Sequence, residues 1–278
     1  MRGEFVDVGG ARLYYFAAGT RGAGEPVVFL HGFPASAHLW ARVIPLMPPG
    51  HRLVVVDALG SGRSDRADGR SLDLVAHTAH CLTLLDDLRI DHACLVGHGF
   101  GGAVAQAVAL TSPGRISRLA LVDSVAFDAW PSRLARLART IARVPALARA
   151  LGAPLLTSLV HGSALRGFRD ADVGRHALDQ FLHHYPARLG VDTLIAQLHA
   201  QHDPHVASYG ERLGSLHLPT TVITGSDDPF IPRAIAERLA ATIPDATLDV
   251  VAGARHFVPE DSPERVAAAL RALLSRPL

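Results

Sequence analysis

Short apolar runs alternate with segments of helical periodicity along most of this 278-residue chain, and that alternation restricts the fold more than any other feature. A strand that is apolar on every residue has to be covered on both faces, which is the condition of a mostly parallel sheet between layers of helices. The pattern predicts strands at Phe5–Val8, Leu13–Ala17, Val27–Leu30, Leu53–Val56, Ala93–Val96, Leu119–Val122, Thr221–Thr224 and Thr247–Val251. The first two are close enough for an antiparallel start. Helices are expected at Leu39–Leu46, Leu72–Leu88, Phe100–Thr111, Pro232–Ala241 and Pro263–Leu274, the last two opening on proline, which suits a first helical turn. The fold class is therefore α/β, an eight-stranded sheet flanked by helices.

From Val125 to His217 the strand rhythm stops, and the chain turns helical and rich in alanine and arginine, punctuated by Pro131, Pro145, Pro154, Pro186 and Pro204. A stretch of that length between two strands is too long for a bare loop. Residues 1–124 and 218–278 are expected to form the core, with 125–217 as a helical cap over the carboxyl ends of the strands, where open α/β sheets bind ligands. The arginines 133, 136 and 139 read as the solvated face of an amphipathic helix.

The formal net charge is +1, and the 27 basic residues, all arginine, are scattered among 26 acids, which argues against a nucleic-acid partner. No apolar run approaches a membrane span and the first residues lead into a strand, so a cytoplasmic protein is expected, as monomer or homodimer. Cys81 and Cys94 read as reduced packing residues. His199, His202 and His205 have a ligand-like spacing, but Pro204 interrupts the helix and no carboxylate pattern completes a zinc site. No metal and no cofactor is expected.

Four motifs occur in order. His31-Gly32-Phe33-Pro34 follows the third strand, and Asp57-Ala58-Leu59-Gly60-Ser61-Gly62-Arg63-Ser64 follows the fourth. Val96-Gly97-His98-Gly99-Phe100-Gly101-Gly102 makes a sharp strand-to-helix turn. Gly225-Ser226-Asp227-Asp228-Pro229 and Gly253-Ala254-Arg255-His256-Phe257 follow the last two strands. Over nearly its whole length, cap included, the chain resembles the α/β-hydrolase superfamily. The resemblance implies that the backbone N–H groups of Phe33 and Phe100 form an oxyanion hole, and that His256 is paired with an acid. The family pattern puts that acid before the proline, which favours Asp228, with Asp227 in reserve.

At the centre of the elbow, where the family carries serine or aspartate, stands Gly99. The flanking residues are most similar to the serine branch of esterases, lactonases and C–C bond hydrolases. A dehalogenase is disfavoured because no arginine follows the elbow, and an epoxide hydrolase would need a pair of cap tyrosines, for which Tyr185 and Tyr209 are available. Glycine relieves the strain of the elbow and makes covalent catalysis impossible at that position. The expected chemistry is therefore non-covalent acid–base work by His256 on a small apolar carbonyl substrate: lyase, aldol-type, cyclisation or water activation. The alternatives are a serine-type hydrolase disabled by glycine at position 99, and a ligand-binding receptor. Candidate pocket residues are His31, His98, Trp130, Phe168, Tyr185, Phe230 and Phe257.

Overall fold

The computed structural model describes residues 3–19, 24–128, 145–185, 189–200 and 203–278. Eight strands form one sheet: β1 (Gly3–Asp7), β2 (Arg12–Ala18), β3 (Val27–Leu30), β4 (Leu53–Val56), β5 (Ala93–His98), β6 (Ile116–Val122), β7 (Thr220–Gly225) and β8 (Ala246–Val251). Their order is β1-β2-β4-β3-β5-β6-β7-β8. β2 runs antiparallel to both β1 and β4, and every pairing from β4 to β8 is parallel.

The central strands are apolar on every residue because both faces are covered. β3, β4, β5 and β7 are buried throughout, whereas the edge strands β1 and β8 carry exposed positions. Alternate residues face opposite layers. Along β3, Val28 and Leu30 join one cluster with residues of α1 (Leu74–Asp87), α2 (Phe100–Thr111) and α7 (Arg233–Thr242). Val27 and Phe29 join the other, with Trp40, residues of α9 (Pro263–Leu274), and Phe168, Phe181 and Phe257.

The helix expected at Leu39–Leu46 is instead two short 3-10 turns, Ala37–Trp40 and Ile44–Leu46. Pro45 has no amide proton to donate, so the segment closes with bonds over three residues, among them Val43 N–H to the Trp40 carbonyl and Leu46 N–H to the Val43 carbonyl. Elsewhere the helices follow the pattern to within two residues. Asp73 caps α1 by accepting the Ala76 N–H at 2.7 Å.

Between β6 and β7 the described elements are helical: α3 (Pro145–Ala164, broken at Gly152), α4 (Ala171–Leu182), α5 (Gly190–Ala200) and α6 (His205–Gly210). They are fastened to the sheet layers at particular points. Asp203 accepts the Leu74 N–H, and Gln197 donates its amide to the Gly60 carbonyl at 3.0 Å and the Ser61 hydroxyl at 2.8 Å. The short helix α8 (Val258–Asp261) supplies Asp261, which accepts the Arg169 N–H at 3.0 Å and the Arg255 N–H at 2.8 Å. Among the described residues no helix is long and apolar enough to cross a membrane.

The carboxyl-terminal helix is tied to the sheet by a buried guanidinium. Arg118 on β6 donates to Glu25 at 2.6 Å, to the Leu273 carbonyl at 3.1 Å and to the Arg276 carbonyl. Arg118→Met is expected to cost on the order of 2 kcal/mol in urea unfolding. That is below the roughly 3–5 kcal/mol for breaking a fully buried pair, because Glu25 keeps some access to water.

Candidate active site

Parallel pairing decides which loops meet. Leu30 lies beside Gly97 in the β3–β5 ladder, so the His31-Gly32-Phe33 turn and the elbow leave the sheet side by side. They touch closely: a Cβ on Gly32 would come within 2.8 Å of the His98 carbonyl oxygen and 2.9 Å of the Phe100 nitrogen, contacts only glycine avoids. Among the described residues neither the Phe33 nor the Phe100 N–H is given to a protein acceptor, and Phe100 opens α2, where the helix dipole also favours negative charge.

Gly225 lies beside Val251 in the β7–β8 ladder, so the loops bearing Asp228 and His256 also leave together. His256 Nδ1 lies 2.8 Å from Asp228 Oδ2. The other carboxylate oxygen accepts the N–H groups of Phe230 at 2.7 Å and Ile231 at 3.0 Å, so Asp228 can only accept from the imidazole. That places the proton on Nδ1 and leaves the Nε2 lone pair free to act as a base. Asp227 faces solvent and takes a hydrogen bond from Ser226, so of the two aspartates Asp228 meets the histidine.

The imidazole is held by its surroundings. Phe230 meets it edge-on at 5.2 Å and Phe257 at 5.1 Å, and His98 lies behind it at 4.8 Å. His98 donates from Nε2 to the His256 carbonyl at 3.0 Å, a bond that reaches from β5 across to the loop after β8. Burial, reinforced by the neighbouring His256, keeps His98 uncharged, well below the usual histidine range.

Gly99 has φ 55° and ψ −122°, a conformation costly to any residue with a Cβ. A Cβ placed there would stand 3.8 Å from His256 Nε2 and 3.7 Å from Gly32 Cα, with nothing nearer. A serine would fit this space and bring its hydroxyl within reach of the imidazole. Among the described residues no side chain hydrogen-bonds to His256 Nε2.

The other expected pocket residues fall in different places. His31 lines a cavity, but its nitrogens are both engaged: Nδ1 donates to the Gly32 carbonyl at 2.9 Å and Nε2 accepts the Ala58 N–H at 3.0 Å. His98, Phe168, Tyr185 and Phe257 are wholly enclosed in packing, Phe168 stacking on Phe257 at 4.2 Å, because the helices between β6 and β7 press directly onto the His256 loop. The Tyr185 hydroxyl donates to Gln197, and the Tyr209 ring lies against Arg212, so the two tyrosines do not form an acid pair. Phe230 stays half-buried beside His256. Trp130 and His202 lie outside the described residues, and among those described no group of three or more His, Cys, Asp or Glu side chains is gathered to hold a metal. Asp57 binds the N–H groups of Ala37 and Arg63, making its motif a scaffold turn.

One acid was not anticipated. Asp123, the residue after β6, is buried at φ 41°. Its Oδ1 accepts from Gly225 N–H at 2.9 Å and the Thr224 hydroxyl at 3.2 Å, while Oδ2 has no partner among the described residues. Burial, with the nearby Asp228, pushes its carboxyl well above the ordinary 3.8. The available signal was its position at the carboxyl end of a core strand, in line with the other functional loops.

Asp123 binds a proton in the native state that the unfolded chain releases near pH 3.8, so it lowers stability progressively as pH rises above that value. Asp123→Asn should unfold at higher urea than the parent at neutral pH, and the advantage should vanish below pH 3.8. Gly99→Ser should cost about 1–3 kcal/mol in the same measurement, from backbone strain alone.

A family model described as the alpha/beta hydrolase fold matches residues 25–263. Over 268 residues the chain is 30% identical to a 2-hydroxy-6-oxononadienedioate/2-hydroxy-6-oxononatrienedioate hydrolase of Paraburkholderia xenovorans (strain LB400), covering 92% of this chain and 88% of that protein. It is 28% identical over 279 residues to haloalkane dehalogenase 2 of Mycobacterium tuberculosis (strain ATCC 25618 / H37Rv), covering 96% and 93%. A solved esterase from Thermogutta terrifontis superposes with a TM-score of 0.82 at 23% identity, covering 99% of this chain and 98% of that one, a likeness of fold alone. The family model spans the sheet from β3 onward and both late loops, and the chain belongs to the alpha/beta hydrolase fold family.

Proposed function

We propose that this chain is an enzyme of its family that works without a covalent nucleophile, with 125–217 as cap over a core of 1–124 and 218–278. In this reading His256 moves the proton, Asp228 fixes its tautomer and stabilises the imidazolium, and the N–H groups of Phe33 and Phe100 receive developing negative charge on oxygen. The observation that carries the reading is a complete His256–Asp228 pair, with both carboxylate oxygens committed, facing a glycine at the elbow.

The step fitted to these groups is removal of a proton from carbon next to a carbonyl. His256 Nε2 takes the proton, the C–H electron pair moves into the enolate, and the enolate oxygen accepts from the two N–H groups. Return of that proton to a different carbon completes an isomerisation; where the enolate carbon first attacks a second carbonyl of the same molecule, return of the proton to the resulting alkoxide completes a ring closure. The substrate is taken as a small uncharged carbonyl compound. The chain has no lysine, and among the described residues the arginines beside the His256 loop are held by backbone carbonyls: Arg255 by those of Arg166 and Phe168, Arg169 by that of Asp261.

A second reading is a serine-type hydrolase that has lost its nucleophile. It is favoured by the unobstructed space for a side chain at Gly99.

Proton–deuterium exchange in simple ketones and lactones, followed by NMR in deuterated buffer, separates the readings. The chain is expected to accelerate exchange, and His256→Ala to reduce the rate about 10²- to 10⁴-fold. An inert parent whose Gly99→Ser variant hydrolyses esters would establish the second reading instead. Ligand binding with neither activity would mark a receptor.

A further inference from the structure

Two glycines face each other at the floor of the site. A Cβ on Gly32 would stand 3.2 Å from Gly99 Cα. A Cβ on Gly99 would stand 3.7 Å from Gly32 Cα and 3.8 Å from His256 Nε2, with no other heavy atom within 4 Å beyond its own chain neighbours. These are ordinary van der Waals separations, so the space over Gly99 accepts one carbon without displacing a neighbour. The residues that follow the two glycines are Phe33 and Phe100, whose N–H groups are given to no protein acceptor among the described residues.

The imidazole bordering this space is only 5% exposed, and its Nε2 has no hydrogen-bond partner among the described residues. Nε2 is nevertheless not one of the unpartnered atoms sealed inside the protein, so a molecule the size of water reaches it. With the Nδ1 proton held by Asp228 at 2.8 Å, this nitrogen presents a lone pair, which a hydroxyl group satisfies by donating. A small alcohol whose carbon lies where a Cβ on Gly99 would lie carries its hydroxyl one bond further on, in the gap to Nε2. The group that a serine would supply from the chain is then supplied from solution.

We propose that the space over Gly99 is a subsite for a second substrate, water or a one-carbon alcohol, to which an acyl group passes from a neutral ester in a single displacement. Nε2 takes the hydroxyl proton as the hydroxyl oxygen bonds to the ester carbonyl carbon. The carbonyl electron pair moves onto its oxygen, which accepts from the Phe33 and Phe100 N–H groups. When that pair reforms the carbonyl, the bond to the leaving oxygen breaks, and the leaving oxygen takes the proton from Nε2. No residue is acylated. The proposal rests on His256 as the base of the function proposed above, and gives that base an O–H proton where the earlier reading gives it a C–H proton.

The test supplies phenyl acetate and methanol to the whole chain and follows methyl acetate and acetate by NMR. Methyl acetate is expected to form at a rate that saturates with methanol. Its ratio to acetate should exceed that of the uncatalysed reaction about fourfold, the gain from burying one methyl group. His256→Ala should lower the rate about 10²- to 10⁴-fold. Gly99→Ala, whose methyl group fills the subsite, should abolish saturation by methanol, with the fold checked by circular dichroism; if that variant does not fold, the product ratio of the parent decides alone. The proposal is overturned by no methyl acetate above the uncatalysed rate, by a rate linear in methanol, by the uncatalysed product ratio, or by saturation that survives in folded Gly99→Ala. An acetylated protein that forms and decays at the turnover rate, read by intact-mass measurement, would overturn it as well. Transfer without proton–deuterium exchange in ketones would uphold it while counting against carbon deprotonation, and exchange without transfer would do the reverse.

Discussion

The parallel ladder between β3 and β5 sets the geometry on which the rest of the site depends. It places Leu30 beside Gly97, so two turns that share no sequence neighbourhood emerge in contact and bring Phe33 and Phe100 to one edge. The β7–β8 ladder does the same for Asp228 and His256. The two pairs are then bridged across β6 and β7 by the His98 hydrogen bond to the His256 carbonyl. Displacing any one strand by a residue would turn its side chains to the opposite face and part these loops.

The energetic pattern around this frame is uneven. Most buried polar groups are satisfied, as in the committed oxygens of Asp228 and the engaged ring of His31. The atoms without partners among the described residues are Trp40 Nε1, His80 Nδ1, His98 Nδ1, Asp123 Oδ2, Thr157 Oγ1 and Glu260 Oε1, of which those of His98 and Asp123 belong to residues beside the His256–Asp228 pair. Left alone such groups destabilise the fold.

Much of the site was legible from the chain. The elbow, the HGFP turn and the Asp228 and His256 loops each combine a core strand with a turn motif, and local sequence is enough to find such signals. The aromatic residues were a different matter. Phe168, Tyr185 and Phe257 have the composition of a ligand pocket, yet they fill the contact between the helices after β6 and the His256 loop. An apolar ring is equally suited to bind a ligand or to pack against another ring, and only its neighbours decide which. The helix expected at Leu39–Leu46 fails for a local reason, the amide missing at Pro45, which outweighs the apolar spacing.

By itself the sequence determined the alternation of strands and helices, the order of the candidate site loops, and the glycine that stands at position 99 of the strand-to-helix turn. These follow from periodicity and turn chemistry, which act over a few residues. Only the tertiary structure decided that Asp228 rather than Asp227 meets His256, that Asp123 lies buried nearby with its carboxyl held above its ordinary range, and that α1 places His77 and His80 along a cavity that Gly32, Phe33 and Phe100 also border. Those outcomes depend on strand register and on helices packed across the sheet from distant parts of the chain, and no local pattern encodes the distance between such groups.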